Sequence, residues 1–420
     1  MKLHTKKLKS GLTIQAIEMP GTNVVTSLIL VGAGSRYEDK KVNGIAHFLE
    51  HMFFKGGERY KTPKEVSSSI DSIGAEFNAF TSEEVVGYYV KSAKEHINKS
   101  LDVLSDMLTN ARFPKEEIEK ERGVILEEVA MYLDFPMRKI SEDFKSLLFG
   151  DQPIGRDILG SKNVIKSVEQ KDFFDYRESL YVPENIVITL AGAVTKDDIS
   201  LVEKYFDFDT KKQSIKMLQY NDEIAVKKYS IREKQTEQYH INFGVLGLPE
   251  GDKRYPIEKI LAIILGGNMS SRMFLNVRED KGLCYSISTQ SVGFSDIGMF
   301  TTRAGVKLDM VLKAVEAIRY EYNSISQDGI TDEELSDAKA FMAGRLDLST
   351  EDTEDVAFYY GENTLMHKTQ ESYEEKKQKI NSVTKEEVNT LARELLQPER
   401  YHFAGIGPKI DEKKLLSLIS

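Results

Sequence analysis

The sequence predicts an α+β fold of two similarly built domains, each a mostly antiparallel sheet with helices packed on one face. Three observations carry that reading. A chain of 420 residues exceeds what one hydrophobic core ordinarily holds and suits two domains of about 200 residues each. Short segments with period-two alternation are interleaved with longer segments of helical period. The order of these segments in the first half recurs in the second, as an internal duplication would give. A polar, charged stretch with few apolar anchors separates the halves. The expected division is an N-terminal domain at 1–208, a linker at 209–223 and a C-terminal domain of the same fold at 224–420.

In chain order, residues 12–17 and 24–31 alternate between apolar and polar and are expected to be strands of one sheet. A short apolar helix is expected around residues 44–54. A second helix opens at Pro63, since proline is tolerated in a first turn. Strands are expected at 75–80 and 85–91, and three long helical patterns run from about 96 to 148. A strand at 185–193 precedes a helix ending near Phe206. The second half repeats the plan with strands at 225–231 and 239–247, a helix at 255–265, and strands at 285–292 and 298–305. Helices follow at 308–326, 331–348 and 350–366, then a strand at 401–406 and a short closing helix. The acidic run Glu351-Asp352-Thr353-Glu354-Asp355 reads as a helix start, where carboxylates meet the positive dipole end. His240 and His402 fall in strand patterns and are expected to be packed or hydrogen-bonded.

The bulk numbers narrow the function. A net charge of −10 argues against nucleic acid and suits a basic or polar peptide as partner. The single cysteine, Cys284, allows no intramolecular disulfide and reads as a small buried side chain. The first residues lack the apolar run of a signal peptide. No window approaches the roughly 18 apolar residues that span a bilayer. A soluble, cytoplasmic protein without membrane contact is expected.

The chemistry concentrates in His47-Phe48-Leu49-Glu50-His51. At about 100° per residue, both imidazoles and the carboxylate fall on one helix face. Two histidines and a nearby glutamate are what a tetrahedral zinc site with an attached general base requires. The surrounding Ile45, Phe48, Leu49, Met52 and Phe53 are apolar, so the helix reads as buried. This HxxEH order reverses the HExxH helix and is the inverzincin signature. Two histidines leave the metal one protein ligand short, with a fourth position for water. On the helical pattern of residues 114–129, Glu121 and Glu128 share one face, and Glu127 lies about 100° away. Taken alone, these glutamates read as solvated charges on an ordinary helix.

With these motifs the chain resembles the pitrilysin (inverzincin) zinc peptidases, above all the processing-peptidase β-subunits and their bacterial relatives. In that family the third ligand is a glutamate 77 residues after the second histidine, with another glutamate seven residues before it. Here these are Glu128 and Glu121. The resemblance thus implies one Zn²⁺ per chain held by His47, His51 and Glu128. Glu121 would orient a ligand, and Glu50 would be the general base of a peptide-bond hydrolysis.

It implies further that Asn78, Ala79 and Phe80 lie in a strand to which a peptide substrate adds as an extra strand. Arg278 and Tyr285 match an arginine and a tyrosine that bind substrate and stabilise the developing oxyanion. Family members of about twice this length enclose a chamber with four such domains, so this chain is expected to act as a homodimer on short or unfolded peptides. The alternative is a non-catalytic or partner-dependent subunit of a processing-peptidase-like complex. Such subunits carry a degraded metal motif, whereas every expected position is filled here.

Overall fold

The computed structural model describes residues 1–206, 208, 217–223 and 227–419. The first stretch of chain contains β1 (Lys2–Lys7), β2 (Thr13–Glu18), β3 (Val24–Val31), α1 (Ile45–Phe53), α2 (Pro63–Asp71), β4 (Glu76–Thr81) and β5 (Val86–Ala93). Next come α3 (Ile97–Thr109), α4 (Lys115–Asp134), α5 (Pro136–Phe149), α6 (Lys162–Ser167), α7 (Gln170–Leu180), β6 (Ile186–Gly192) and α8 (Ile199–Tyr205). The second stretch contains β7 (Tyr229–Glu233), β8 (Tyr239–Gly247), α9 (Tyr255–Ala262), β9 (Cys284–Gly293), β10 (Gly298–Val306), α10 (Val311–Asp328) and α11 (Asp332–Ser349). It closes with α12 (Thr353–Met366), α13 (Tyr373–Ser382), α14 (Lys385–Leu395), β11 (His402–Gly407) and α15 (Glu412–Ile419).

The two sheets have the same plan. One runs β1-β2-β6-β3-β5-β4, the other β7-β11-β8-β10-β9. Apart from β1 the orders superpose strand for strand, and in each sheet only the corresponding pair is parallel: β2 with β6, and β7 with β11. The expected duplication is therefore legible in topology, and the mostly antiparallel α+β class is what the chain adopts.

Chain order and compactness differ, however. One compact unit comprises residues 1–130, 156–218 and 347–371; the other comprises 131–155, 219–346 and 372–420. Helix α5, which precedes the 209–223 stretch, is built into the second unit, and α12, which follows it, into the first. Most of that expected linker lies outside the described residues, as does Ala225, and the strand expected from 225 begins at Tyr229.

In the first unit, side chains alternate across β3. One face carries α1 and α3, with Phe53 against Tyr88 at 5.3 Å between ring centroids and Ser92 bonded to Ser100. The opposite face, with Thr26, Leu28 and Leu30, is covered by α12. Thr26 bonds Thr353 at 2.8 Å, and Phe358 packs on Phe80. At Gly361 a Cβ would come within 2.9 Å of the Leu30 side chain, so glycine permits the close helix–sheet approach. The expectation of helices on one face thus gains a covering helix on the other. Asp352 caps α12 by accepting from the Glu354 amide, which fits the acidic helix start read from sequence.

The second unit repeats the arrangement. Ile140, Phe144, Leu147 and Leu148 of α5 cluster with Ala404 and Ile406 of β11. On the other face Phe243 meets Tyr322 and Tyr401 edge-on or tilted at about 5 Å, a favoured aromatic geometry. Among the described residues no helix is long and apolar enough to cross a membrane. Cys284 is buried, as expected, and burial pushes its thiol up to about 11.

His402 supplies a test of this packing. Its Nδ1–H donates to the Arg400 carbonyl at 2.8 Å, and Nε2 is buried without a hydrogen-bond partner. Burial, with Lys228 nearby, pushes its pKa down to about 4. The unfolded chain takes up the proton near its ordinary value of about 6.5. Stability from this group is therefore complete above that value and lost as pH falls toward the folded one. Lowering pH from about 7.5 to about 5 is expected to cost about 2 kcal/mol through His402. Urea unfolding of wild type and His402→Gln at both pH values checks this; equal pH dependence in the two proteins would refute it.

Candidate active site

The site begins with how α1 starts. Gly44 precedes it with φ 102°, a conformation that favours glycine. A Cβ there would lie 2.5 Å from the Leu159 carbonyl oxygen. The Glu38 carboxylate accepts from the Gly44 and Ala46 amides at 2.7 Å each and from Asn43 Nδ2 at 2.8 Å. These bonds satisfy first-turn donors and set a carboxylate at the positive end of the helix. Phe48, Leu49, Met52 and Phe53 are fully buried, with Phe48 against Phe173 and Phe53 against Tyr88, Phe113 and Tyr181. The apolar residues of the motif thereby fix the rotation of α1 and turn its polar stripe toward α4.

That stripe meets the glutamates of α4. His47 Nε2 and His51 Nε2 are 3.3 Å apart, and each lies 3.6 Å from Glu128 Oε2. These three donors form the one cluster of metal-ligating type among the described residues. A tetrahedral zinc with bonds of about 2.0–2.2 Å has ligand–ligand edges of about 3.3–3.6 Å. The triangle therefore has the size and donor chemistry that Zn²⁺ takes. Glu127 is exposed, so packing separates two neighbouring glutamates that the sequence left close together.

Glu121 lies against His51. Its Oε1 is 2.8 Å from His51 Nδ1, which leaves Nε2 to face the other donors. Burial works against a charged His51, but the hydrogen bond and charge of Glu121 outweigh it and raise the imidazole's proton affinity. Burial likewise opposes ionisation of Glu121, yet bonds from His51 and Lys55 hold its carboxyl below the ordinary range. Glu50 lies between the histidines on α1, and burial raises its pKa against the hydrogen bond from Thr81.

Asn78, Ala79 and Phe80 lie in β4, the outermost strand of its sheet, paired only with β5 among the described residues. Asn78 is exposed and its side-chain oxygen accepts from the Ala79 amide, while Phe80 turns inward onto Phe358. Arg278 and Tyr285 belong to the other unit. Arg278, in the wide-turned helical segment Met273–Glu279, lies over the Phe274 ring at 4.5 Å. Tyr285, in β9, is 77% exposed.

Two side chains at the site were missed from sequence. Thr81, at the end of β4, donates to Glu50 Oε2 at 2.5 Å. Lys55 Nζ is 2.5 Å from Glu121 Oε2. The second had a signal: Lys55 continues the four-residue spacing of His47 and His51.

Residues 13–162 match the insulinase family model, peptidase family M16, and residues 167–342 match the peptidase M16 inactive domain. Over 400 residues the chain is 37% identical to YmxG of Bacillus subtilis, named an uncharacterized zinc protease, with 95% of this chain and 97% of that one covered. The chain belongs to peptidase family M16. A second relative, from Streptomyces coelicolor and also named an uncharacterized zinc protease, is 32% identical over 413 residues, covering 97% and 90% of the two chains. A Helicobacter pylori protease of known structure has the same fold, with TM-score 0.89 at 21% identity over 97% of this chain and 99% of that one. M16 membership agrees with the pitrilysin-type resemblance read from the HxxEH motif.

The Glu121–His51 contact has a measurable consequence. Metal binding must displace a proton from His51, so zinc affinity is expected to fall as pH drops through the raised His51 pKa. Glu121→Gln should weaken zinc binding about 10–100-fold near neutral pH and move that acid fall to lower pH. Competition with a fluorescent chelator across pH 5–8 measures both; an unshifted acid limb in the variant would refute the assignment.

Proposed function

We propose that the chain is a zinc-dependent endopeptidase acting on short or unfolded peptides, with one Zn²⁺ held by His47, His51 and Glu128. The observation that carries this reading is the 3.3 by 3.6 by 3.6 Å donor triangle with Glu50 between its two histidines on α1. Bound zinc would supply Lewis acidity toward the scissile carbonyl and lower the pKa of a water molecule.

The remaining chemistry falls to the chain's own groups. Glu50 takes the proton from the attacking water and returns it to the leaving amine, so no covalent intermediate is needed. Burial suits it to the task by raising its proton affinity. Thr81 occupies Oε2 and leaves Oε1 for the water. The outer edge of β4 offers backbone groups to an extended peptide, with Asn78 and Ala79 near the scissile bond. A cytoplasmic site of action accords with a single buried cysteine.

We propose further that the working unit is a homodimer, in which Arg278 and Tyr285 of one copy stabilise the oxyanion at the metal site of the other. The high exposure of Tyr285 supports this, since a packed structural tyrosine would be covered.

Glu50→Gln is expected to keep stoichiometric zinc while hydrolysis of a mixed peptide library falls by about 10²–10⁴-fold. Full activity in the metal-loaded variant would sink the base assignment. Mixing Glu50→Gln with Tyr285→Phe should restore about a quarter of wild-type activity, because half of randomly reassorted dimers carry one intact site. No recovery after verified subunit exchange would rule out the shared site.

A further inference from the structure

We propose that Lys55 is a positioning residue of the metal site, acting on His51 through Glu121. The inference rests on the metal-centre reading above. Four contacts form one continuous seam: Lys55 Nζ to Glu121 Oε2 at 2.5 Å, Glu121 Oε1 to His51 Nδ1 at 2.8 Å, then His51 and His47 each 3.6 Å from Glu128 Oε2. On α1 and its continuation the spacing is four and four, His47 to His51 to Lys55, which is one stripe of a helix. On α4 the partners are seven apart, two turns on one face. Higher numbers on one side meet lower numbers on the other, so the two stripes pair along their whole length.

Within this seam Glu121 has two oxygens and two tasks. One oxygen fixes the ring of His51 by accepting from Nδ1. The other is held by Lys55, in surroundings where the Glu121 side chain is only 10% and the Lys55 side chain 19% exposed. A buried carboxylate anchored at one oxygen alone is free to rotate about its terminal bond, or to seek water with the other. Lys55 removes that freedom. Lysine fits this role because its ammonium is a point charge on a long apolar stem, which reaches past the end of α1 without filling the metal position.

The test measures zinc affinity of metal-free protein by chelator competition, so no substrate is needed. Lys55→Met is expected to raise the zinc dissociation constant at least about tenfold, the range for partners that orient metal ligands. Lys55→Arg should lie within about threefold of wild type, since it preserves the charge contact. Glu121→Gln combined with Lys55→Met should bind no more weakly than Glu121→Gln alone, because the lysine then has nothing left to position. Thermal unfolding of the metal-free variants checks that folding is retained. Wild-type affinity in a folded Lys55→Met, or a double variant whose loss equals the sum of the single losses, overturns the proposal. If wild-type protein itself fails to bind zinc, the metal-centre reading falls and this inference with it; if only the Lys55 variants behave as wild type, this inference falls alone.

Discussion

The pairing of two side-chain stripes across the α1–α4 seam is the constraint on which the site depends. Imidazoles, carboxylates and an ammonium are costly to remove from water one at a time. Placed in one row, from Lys55 through Glu121 and His51 to Glu128 and His47, each has a polar neighbour. The seam in turn requires α1 to hold one rotation. Glu38 clamps its first turn and the Phe48 and Phe53 ring contacts lock its apolar side. A buried apolar face and a precise polar one are here the same structural requirement.

The second constraint is the outer position of β4. Sheet edges present unpaired amide and carbonyl groups and are usually blunted or covered. Here β4 pairs only with β5 among the described residues, beside α1, and its last residue, Thr81, is bonded to Glu50. The strand that an incoming peptide would extend is thus tied directly to the group assigned as base. Gly87 opposite Phe80 gives the inward-turned ring its space, which keeps the strand's alternation in register with the site.

Much of this was legible in the chain. The HxxEH spacing placed three functional groups on one helix face, and period-two stretches located most strands within a residue or two, as at 24–31 and 239–247. Glu121 and Glu128 were recognisable as one face of a helix, but only packing distinguishes Glu128 from the exposed Glu127. β1 was not placed among the strands, because half of Lys2–Lys7 is lysine and the strand pairs only with β2 among the described residues. Helices α6, α7 and α13 also escaped, being polar, with few apolar positions to reveal a period; α14 escaped although Val388, Leu391, Ala392 and Leu395 keep helical spacing. Thr81 carried no sequence signal, since a hydroxyl at a strand end becomes informative only when its acceptor is known. The exchange of α5 and α12 was illegible for a different reason. Local pattern reveals that a helix is amphipathic but never which sheet it will cover.

That exchange governs how the chain can acquire its structure. Leu28 and Leu30 present an apolar surface as soon as the first sheet assembles, yet α12, which covers it, is made only after β7, β8, β9 and β10 of the second sheet. At translation rates of about 5–20 residues per second, that surface waits for many seconds on the ribosome. The N-terminal unit therefore cannot mature as an independent cotranslational domain, although His47, His51 and Glu128 are made early. Its native pairings are long-range in sequence, a topology that folds slowly and exposes the nascent chain to chaperones. The same wiring makes a nick between the halves less disruptive than a truncation, because each unit would keep its borrowed helix by non-covalent packing.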